Sequence, residues 1–391
     1  MKEVWIVSVA RTAIGSFGGS LKDVSAVDLG AIAAKAAIAR AGIDPAILGD
    51  VIAGHCMMRT DEINLGRCVG LKAGVPFQVP GCTIQRQCSS SMQALVFGAQ
   101  QIMLDEHDAV LIVGSENMSR IPYVLYDMRW GCRMNDRKAV DSLMEGLADP
   151  FGHFLMGITA ENLAAKHNIS RQEQDELALT SQNRALAAID AGRFKDEIVP
   201  VEIPSKKGTI VFDTDEHPRR GTTAETLASL KPAFKKDGTV TAGNASGLND
   251  GGAAAVIMSA EKAKALGIKP LARLVAHAVA AVEPELMGYG PVPATQKALK
   301  KAGMTLKDIQ LLEVNEAFAA QYLACEKLLG LDRSITNVNG SGIALGHPVG
   351  ATGIRLVVSL LSEMQKRDLT VGLASLCVGG GMGKTVILER I

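Results

Sequence analysis

Residues 86–92 read RQCSSSM and press a lone cysteine, Cys88, against three serines just ahead of an apolar helical run, MQALVFGAQQIML. A thiol at a strand-to-helix turn gains free backbone N–H groups and the positive end of the helix dipole, which lower its pKa and can bind an oxyanion. The same place suits a small packing residue, so Cys88 by itself leaves both readings open. Serines 89 to 91 read as helix caps, their hydroxyl oxygens satisfying orphan amides. A serine nucleophile would sit in a G-x-S-x-G elbow, which this stretch lacks.

Three further stretches carry chemistry. GSGIALGHPVGATG (340–353) sets His347 before a proline at a helix start, where an imidazole can take a thiol proton. LCVGGGMGKT (376–385) ends a buried strand on Cys377, followed by glycines that expose amides. It is no phosphate loop, because Val378 occupies the first glycine position and a strand-like run follows Lys384. GSGIALG is no dinucleotide fingerprint either, since Leu345 replaces the third glycine. EVNEAFAAQ (313–321) places Asn315 and Glu316 at a helix start, where capping accounts for the asparagine and holding a water near an enolate is the alternative.

The elements that position these residues are written twice. AAIARAGIDPAILGDVIAG (36–54) has the grammar of QKALKKAGMTLKDIQLLEVN (296–315): an alanine-rich helix, an Ala-Gly stop, a polar turn and an apolar strand. Residues 86–119 likewise match 345–381, and the alignment brings His347 opposite Cys88. Short continuous apolar strands (VWIVSVA, AVLIVGS, AAAVIMS, VGLASL, KTVIL) alternate with helices, which predicts two similar layered α/β halves packed together. The first half spans 1–118 and 246–268, the second 269–391, and 119–245 is an inserted loop region.

Composition bounds the function classes. The 391 residues exceed one ordinary core, and 41 basic side chains balance 41 acidic ones, leaving no overall charge to attract nucleic acid or a membrane surface. No apolar run has the length of a membrane span, and the expected location is cytoplasmic. Seven cysteines without C-x-x-C or zinc spacing read as reduced thiols, with no metal expected.

RQCSSSMQA, NEAFA, GHPVGATG and CVGGG, in that order, resemble the thiolase family, and the likeness runs from VARTAIGSFGGSL through MGITAEN and AGNASGLNDG to the last strand. The resemblance implies a duplicated five-layered αβαβα fold with a loop domain over the active site, and a homotetramer built from dimers. It implies acyl transfer between coenzyme A thioesters, with acetyl-CoA, acyl-CoA or 3-ketoacyl-CoA and CoA as substrates and no cofactor. Carried over, Cys88 accepts the acyl group, His347 takes its proton, and Cys377 is the acid/base at the acetyl methyl. His347 with a water on Asn315 forms one oxyanion site, and the amides of Cys88 and Gly379 form the other. Arg219 falls near the nucleotide end of CoA, while Leu147, Phe234, Ser246, Met287, Ala317 and Phe318 line the pantetheine tunnel.

Two departures bear on specificity. Ser91 stands where the family commonly has glycine, and Leu155, in GHFLMGITAEN, stands where acetyl-specific biosynthetic members carry histidine, which permits a longer acyl chain. His153, two residues away, is a partial substitute. The rival readings are a degradative 3-ketoacyl-CoA thiolase, a decarboxylating ketoacyl synthase, and a non-enzymatic scaffold. The synthase would carry a second histidine where Cys377 stands.

Overall fold

The computed structural model describes residues 2–391. Nine long strands carry the fold: β1 (Val4–Thr12), β2 (Asp50–Gly54), β3 (Gly81–Ile84), β4 (Ala109–Asn117), β5 (Asn249–Ser259), β6 (Ala272–Ala281), β7 (Leu311–Val314), β8 (Val371–Val378) and β9 (Met382–Glu389). Eight helices pack on them: α1 (Ala26–Ala41), α2 (Leu65–Lys72), α3 (Ser90–Met103), α4 (Met156–His167), α5 (Arg171–Asp190), α6 (Pro291–Ala302), α7 (Ala319–Leu329) and α8 (Val349–Lys366).

The duplication is visible in strand order. The first half runs β3-β2-β4-β5-β1 and the second β7-β8-β9-β6, each with parallel pairing at one end and antiparallel pairing at the other. Where β3 flanks β2, the second half has an isolated parallel bridge between Leu312 and Thr336. The two sheets meet where Trp5 and Ile6 of β1 pair with Arg273 and Ala272 of β6.

The matched helices begin and end as their sequences dictate. Ser25 caps α1 by accepting from the Asp28 amide, and Gly42 ends it in the left-handed conformation at φ 64°. In the duplicate, Pro291 opens α6 and Gly303 closes it at φ 66°. Alanines on α1, with Val69 of α2, cover the outer face of the first sheet. Residues from α6 and α7 cover the outer face of the second.

Between the sheets lie α3 and α8, buried over nearly their whole circumference, so that α8 buries even Arg355 and Glu363. Their contact is close because of Gly353, where an added Cβ would stand 2.5 Å from the Met92 amide nitrogen. Helices, sheet, helices, sheet, helices make the five expected layers.

Residues 119–245 share the second half's core: Leu163, Leu177, Leu227 and Val240 pack with Met287, Phe318 and Tyr322. The stretch that reads as polar and turn-rich contains a hairpin, Val201–Ser205 against Gly208–Phe212. Among the described residues no helix is long and apolar enough to cross a membrane.

Candidate active site

β3 ends at Ile84 and α3 begins at Ser90, so Cys88 occupies the expected turn. The chain reaches it through Gln87 at φ 43°, a left-handed conformation that a side chain other than glycine adopts only where the surroundings hold it. The serines do not cap the helix. Ser89 makes no side-chain cap; its hydroxyl and that of Ser90 instead donate backwards to the carbonyls of Arg86 and Gln87, at 3.0 and 2.6 Å. Each of those carbonyls already accepts a turn amide, from Ser89 and Ser90, so the hydroxyls fold back as second donors to the turn instead of facing the helix amides. Ser91 Oγ accepts from the Ile354 amide at 3.0 Å, so at the usual glycine position the hydroxyl ties α3 to α8.

Cys88 opens onto a cavity of about 580 Å³ whose wall includes Cys56, Met57, Arg86, Leu147, Met156, Val349, Gly379 and Met382. Burial pushes its thiol up to about 11, against the opposing pull of the Gly379 and Cys88 amides. The expected lowering at a helix start is therefore outweighed by desolvation in the resting molecule. Cys377, at the end of β8, is wholly buried; burial raises its thiol well above the usual range, and the neighbouring Cys88 raises it further.

His347 sits just ahead of α8, with Pro348 as cap. Its amide donates to Asn249 Oδ1 at 2.9 Å, so a first-half strand holds the second-half loop. The Thr352 hydroxyl donates to the Pro348 carbonyl at 3.0 Å, the ordinary bond of a helical threonine, and lies 2.6 Å from His347 Nδ1. Its hydrogen being used, Thr352 accepts from Nδ1–H, which leaves the lone pair on Nε2. Nε2 is buried without a protein partner. Burial, and then the charge of Arg355, bring the imidazole down to about 3, so it rests neutral as a base must.

Asn315 lies in the loop after β7, and α7 begins only at Ala319 with Phe318 as cap, so Asn315 is not a capping residue. The loop stays extended because the Asn315 amide donates to Ser375 of β8, prolonging the parallel ladder. Asn315 Nδ2 lies 3.5 Å from His347 Nδ1. With a hydrogen already on Nδ1 this is donor facing donor, and the Asn315 amide hydrogens remain available to an oxygen.

Two groups that the sequence reading passed over complete the site. Glu116, fully buried at the end of β4, accepts from the Cys56, Met57 and Gly350 amides and faces His55 at 3.1 Å. It thereby fastens the first turn of α8 to the wall beside Cys88. A lone carboxylate ending the apolar run AVLIVGSE was the available signal. Thr352 had none beyond lying a turn past His347.

The remaining residues are spread over the Cys88 cavity wall, the start of α4, the second half's core and a separate cavity. Leu147 and Gly379 line the Cys88 cavity, whereas His347, Asn315 and Cys377 are buried and do not line it. Leu155 is half-buried as the cap of α4, bridged to Ala148, and its neighbour Met156 is the one that reaches the cavity. His153 is exposed, at φ 53°. Ser246 donates its amide to the Ala317 carbonyl at 2.9 Å, and the Phe234 and Phe318 rings meet edge-on at 5.8 Å, with Met287 in the same core. Arg219 borders a separate cavity of about 250 Å³ with His217, Thr222 and Gly243. Among the described residues no cluster of side chains could hold a metal.

Both halves match known domains: the thiolase N-terminal domain over residues 4–261 and the thiolase C-terminal domain over 268–390. The chain belongs to the thiolase family. It is 51% identical to an acetyl-CoA acetyltransferase of Pseudomonas aeruginosa, with 100% of each chain covered. The crystal structure of the Bacillus anthracis acetyl-CoA acetyltransferase superposes with a TM-score of 0.99 at 53% identity, over 100% of this chain and 99% of that one. Human mitochondrial 3-ketoacyl-CoA thiolase in complex with CoA superposes at 0.96 and 47% identity, over 100% and 98%. The five-layered fold of this thiolase is thus shared with relatives of both kinds of name.

Proposed function

We propose that this thiolase is an acyl-CoA C-acetyltransferase, joining acetyl-CoA to an acyl-CoA by reversible Claisen condensation or cleaving a 3-ketoacyl-CoA with CoA. The observation that carries the reading is the convergence at Cys88: the Gly379 and Cys88 amides reach its sulfur, the Cys377 thiol lies within range of its charge, and the whole borders a cavity large enough for an acyl group.

In the cleavage direction, His347 Nε2 removes the Cys88 proton as the sulfur attacks the ketone carbon. The oxygen of the tetrahedral adduct takes the Cys88 and Gly379 amides. Breaking the carbon–carbon bond releases the enolate of acetyl-CoA, whose thioester oxygen is received by His347, now protonated, with a water held by the Asn315 amide. Cys377 gives its proton to the enolate carbon. Incoming CoA gives its thiol proton to the Cys377 thiolate, attacks the acyl-Cys88 thioester and expels the Cys88 thiolate, which takes back the proton held by His347; the step exchanges like for like, which is why a thiol suits the task. No further cofactor enters this scheme.

Arg219 is assigned to the nucleotide end of CoA, and Ser246, Leu147, Phe234, Met287, Ala317 and Phe318 to the pantetheine arm. The domain division 1–118 plus 246–268, 119–245 and 269–391, a cytoplasmic location and a homotetramer belong to the same reading. Exposed Tyr123, Tyr126, Trp130 and Phe151 on the inserted segment support assembly through that surface.

Acetoacetyl-CoA is the favoured 3-ketoacyl substrate. A longer-chain degradative preference is the second reading, supported by Leu155 in place of histidine and by the volume of the Cys88 cavity, about 580 Å³, within the range of a drug-sized site. Thiolysis rates across a panel from acetoacetyl-CoA to 3-ketodecanoyl-CoA choose between them. Mass spectrometry of protein incubated with acetyl-CoA tests the chemistry itself: one added acetyl group on Cys88 is expected, and its absence would end the acyltransferase reading.

A further inference from the structure

Behind the His347–Asn315 corner lies a charge that the reaction as written does not use. Arg355, one turn beyond Thr352 on α8, is 1% exposed, and its companion Glu313 on β7 is 2% exposed. They face each other at 4.0 Å from Nη1 to Oε2, long for an ion pair. Arg355 Nε and Nη1 and Glu313 Oε2 have no hydrogen-bond partner in the protein. A buried ion pair so loosely made is a poor stabilising device, since desolvation of both charges exceeds what the attraction returns. Burial in fact lifts the Glu313 carboxyl to about 8, despite the guanidinium. The single hydrogen bond that Arg355 does make goes to the active site: Nη2 donates to Asn315 Oδ1 at 3.4 Å.

That bond decides which way the Asn315 amide faces. A guanidinium has only hydrogens to offer, so it accepts the oxygen of an amide as neighbour and rejects the NH₂ group. With Oδ1 held by Arg355, Nδ2 must face His347. Gly342 gives room for this arrangement, because an added Cβ there would lie 2.8 Å from Oδ1. Without the guanidinium the amide could turn over and present its oxygen to the place where negative charge develops.

We propose that Arg355, with Glu313 beside it, is a positioning residue that locks the Asn315 amide in the orientation able to hold, through its NH₂ group, the water of the enolate oxyanion site. The inference rests on the acyltransferase reading above and adds a residue to it. Arg355 makes no hydrogen bond to the sulfurs, and although its charge also lowers the His347 imidazole, its hold on the amide acts through Asn315.

A double-mutant cycle in the full-length enzyme tests this, with acetoacetyl-CoA and CoA as substrates. Arg355→Met is expected to lower kcat roughly 10- to 100-fold with KM within about twofold, since a transition-state donor is lost rather than a binding contact. Arg355→Lys, which also offers only hydrogens to Oδ1, is expected to recover most of the rate. In an Asn315→Ala background, Arg355→Met should change kcat by less than about twofold. Losses that multiply in the double variant, or a folded Arg355→Met enzyme with unchanged kcat, would overturn the proposal. If Arg355→Met does not fold, the cycle of Asn315→Ala with Arg355→Lys decides: a lysine penalty that persists at full size without the Asn315 amide refutes the proposal, and one that vanishes supports it. Acetylation of Cys88 in all variants separates this failure from failure of the underlying reaction.

Discussion

The Cys88 turn and the His347 turn occupy equivalent places in the two halves, each leading a buried central helix, yet they are finished differently. At α3 the serine hydroxyls turn back to Arg86 and Gln87, so the helix start is not capped and the Cys88 amide stays available beside its sulfur. At α8 Pro348 stands at the cap position and makes no side-chain cap either, but Thr352 fixes the imidazole tautomer and Glu116 takes the Gly350 amide. One duplicated frame thus presents a buried thiol with amides beside it in one half and a buried, neutral imidazole in the other. The lesson is that a repeat sets where a helix begins, while the side chains of its first two turns decide which chemistry that end supports.

The sharpest way to break the comparison is to remove the sulfur. Cys88→Ala should reduce thiolysis by roughly 10⁴-fold or more, as loss of a nucleophile does; steady-state assay checks it, and retained activity would leave the Cys88 turn without a function. His347→Ala should cost roughly 10²- to 10⁴-fold, the range of a general base, with acyl-Cys88 formation slowed in rapid-quench measurements.

Thr352→Val tests the tautomer. Losing the acceptor for Nδ1–H should lower kcat about 10- to 100-fold, the range found when the group orienting a histidine is removed. The pH profile sharpens this. His347 is neutral above about 3 and the Cys88 thiol protonated below about 11, so kcat/KM of the wild type should be flat from about pH 5 to 9. An acidic limb near 6.5 would show an imidazole exposed to water and contradict the buried, Thr352-anchored geometry. Smallest is Ser91→Ala: the Ile354 amide loses its tie between α3 and α8, for about 1 kcal/mol in denaturant unfolding, with catalysis little changed.

Much of the frame was legible. Ala41-Gly42 and Ala302-Gly303 announced matching helix ends, and both proved to be left-handed glycine stops. The apolar runs marked buried strands because both faces of each sheet are covered. The serines misled because cap propensity presumes that the hydroxyls face the helix amides, whereas the tight turn before α3 folds them back as second donors to the carbonyls of Arg86 and Gln87. Asn315 misled because its pairing partner, Ser375, lies on a strand far along the chain. Residue types cannot reveal a thiol raised by burial or an imidazole lowered by it, since desolvation depends on what surrounds the group.

The amino-acid sequence by itself determined the duplication, the layered α/β class and the placing of a cysteine and a histidine at equivalent helix starts, because periodicity and stop signals act locally. Only the tertiary structure decided that Cys377 lies close enough to Cys88 to feel its charge, that Thr352 meets His347 and Glu116 the first turn of α8, and that Arg355 donates to Asn315. Those are contacts between segments up to hundreds of residues apart, and their electrostatics exist only once packing has excluded water.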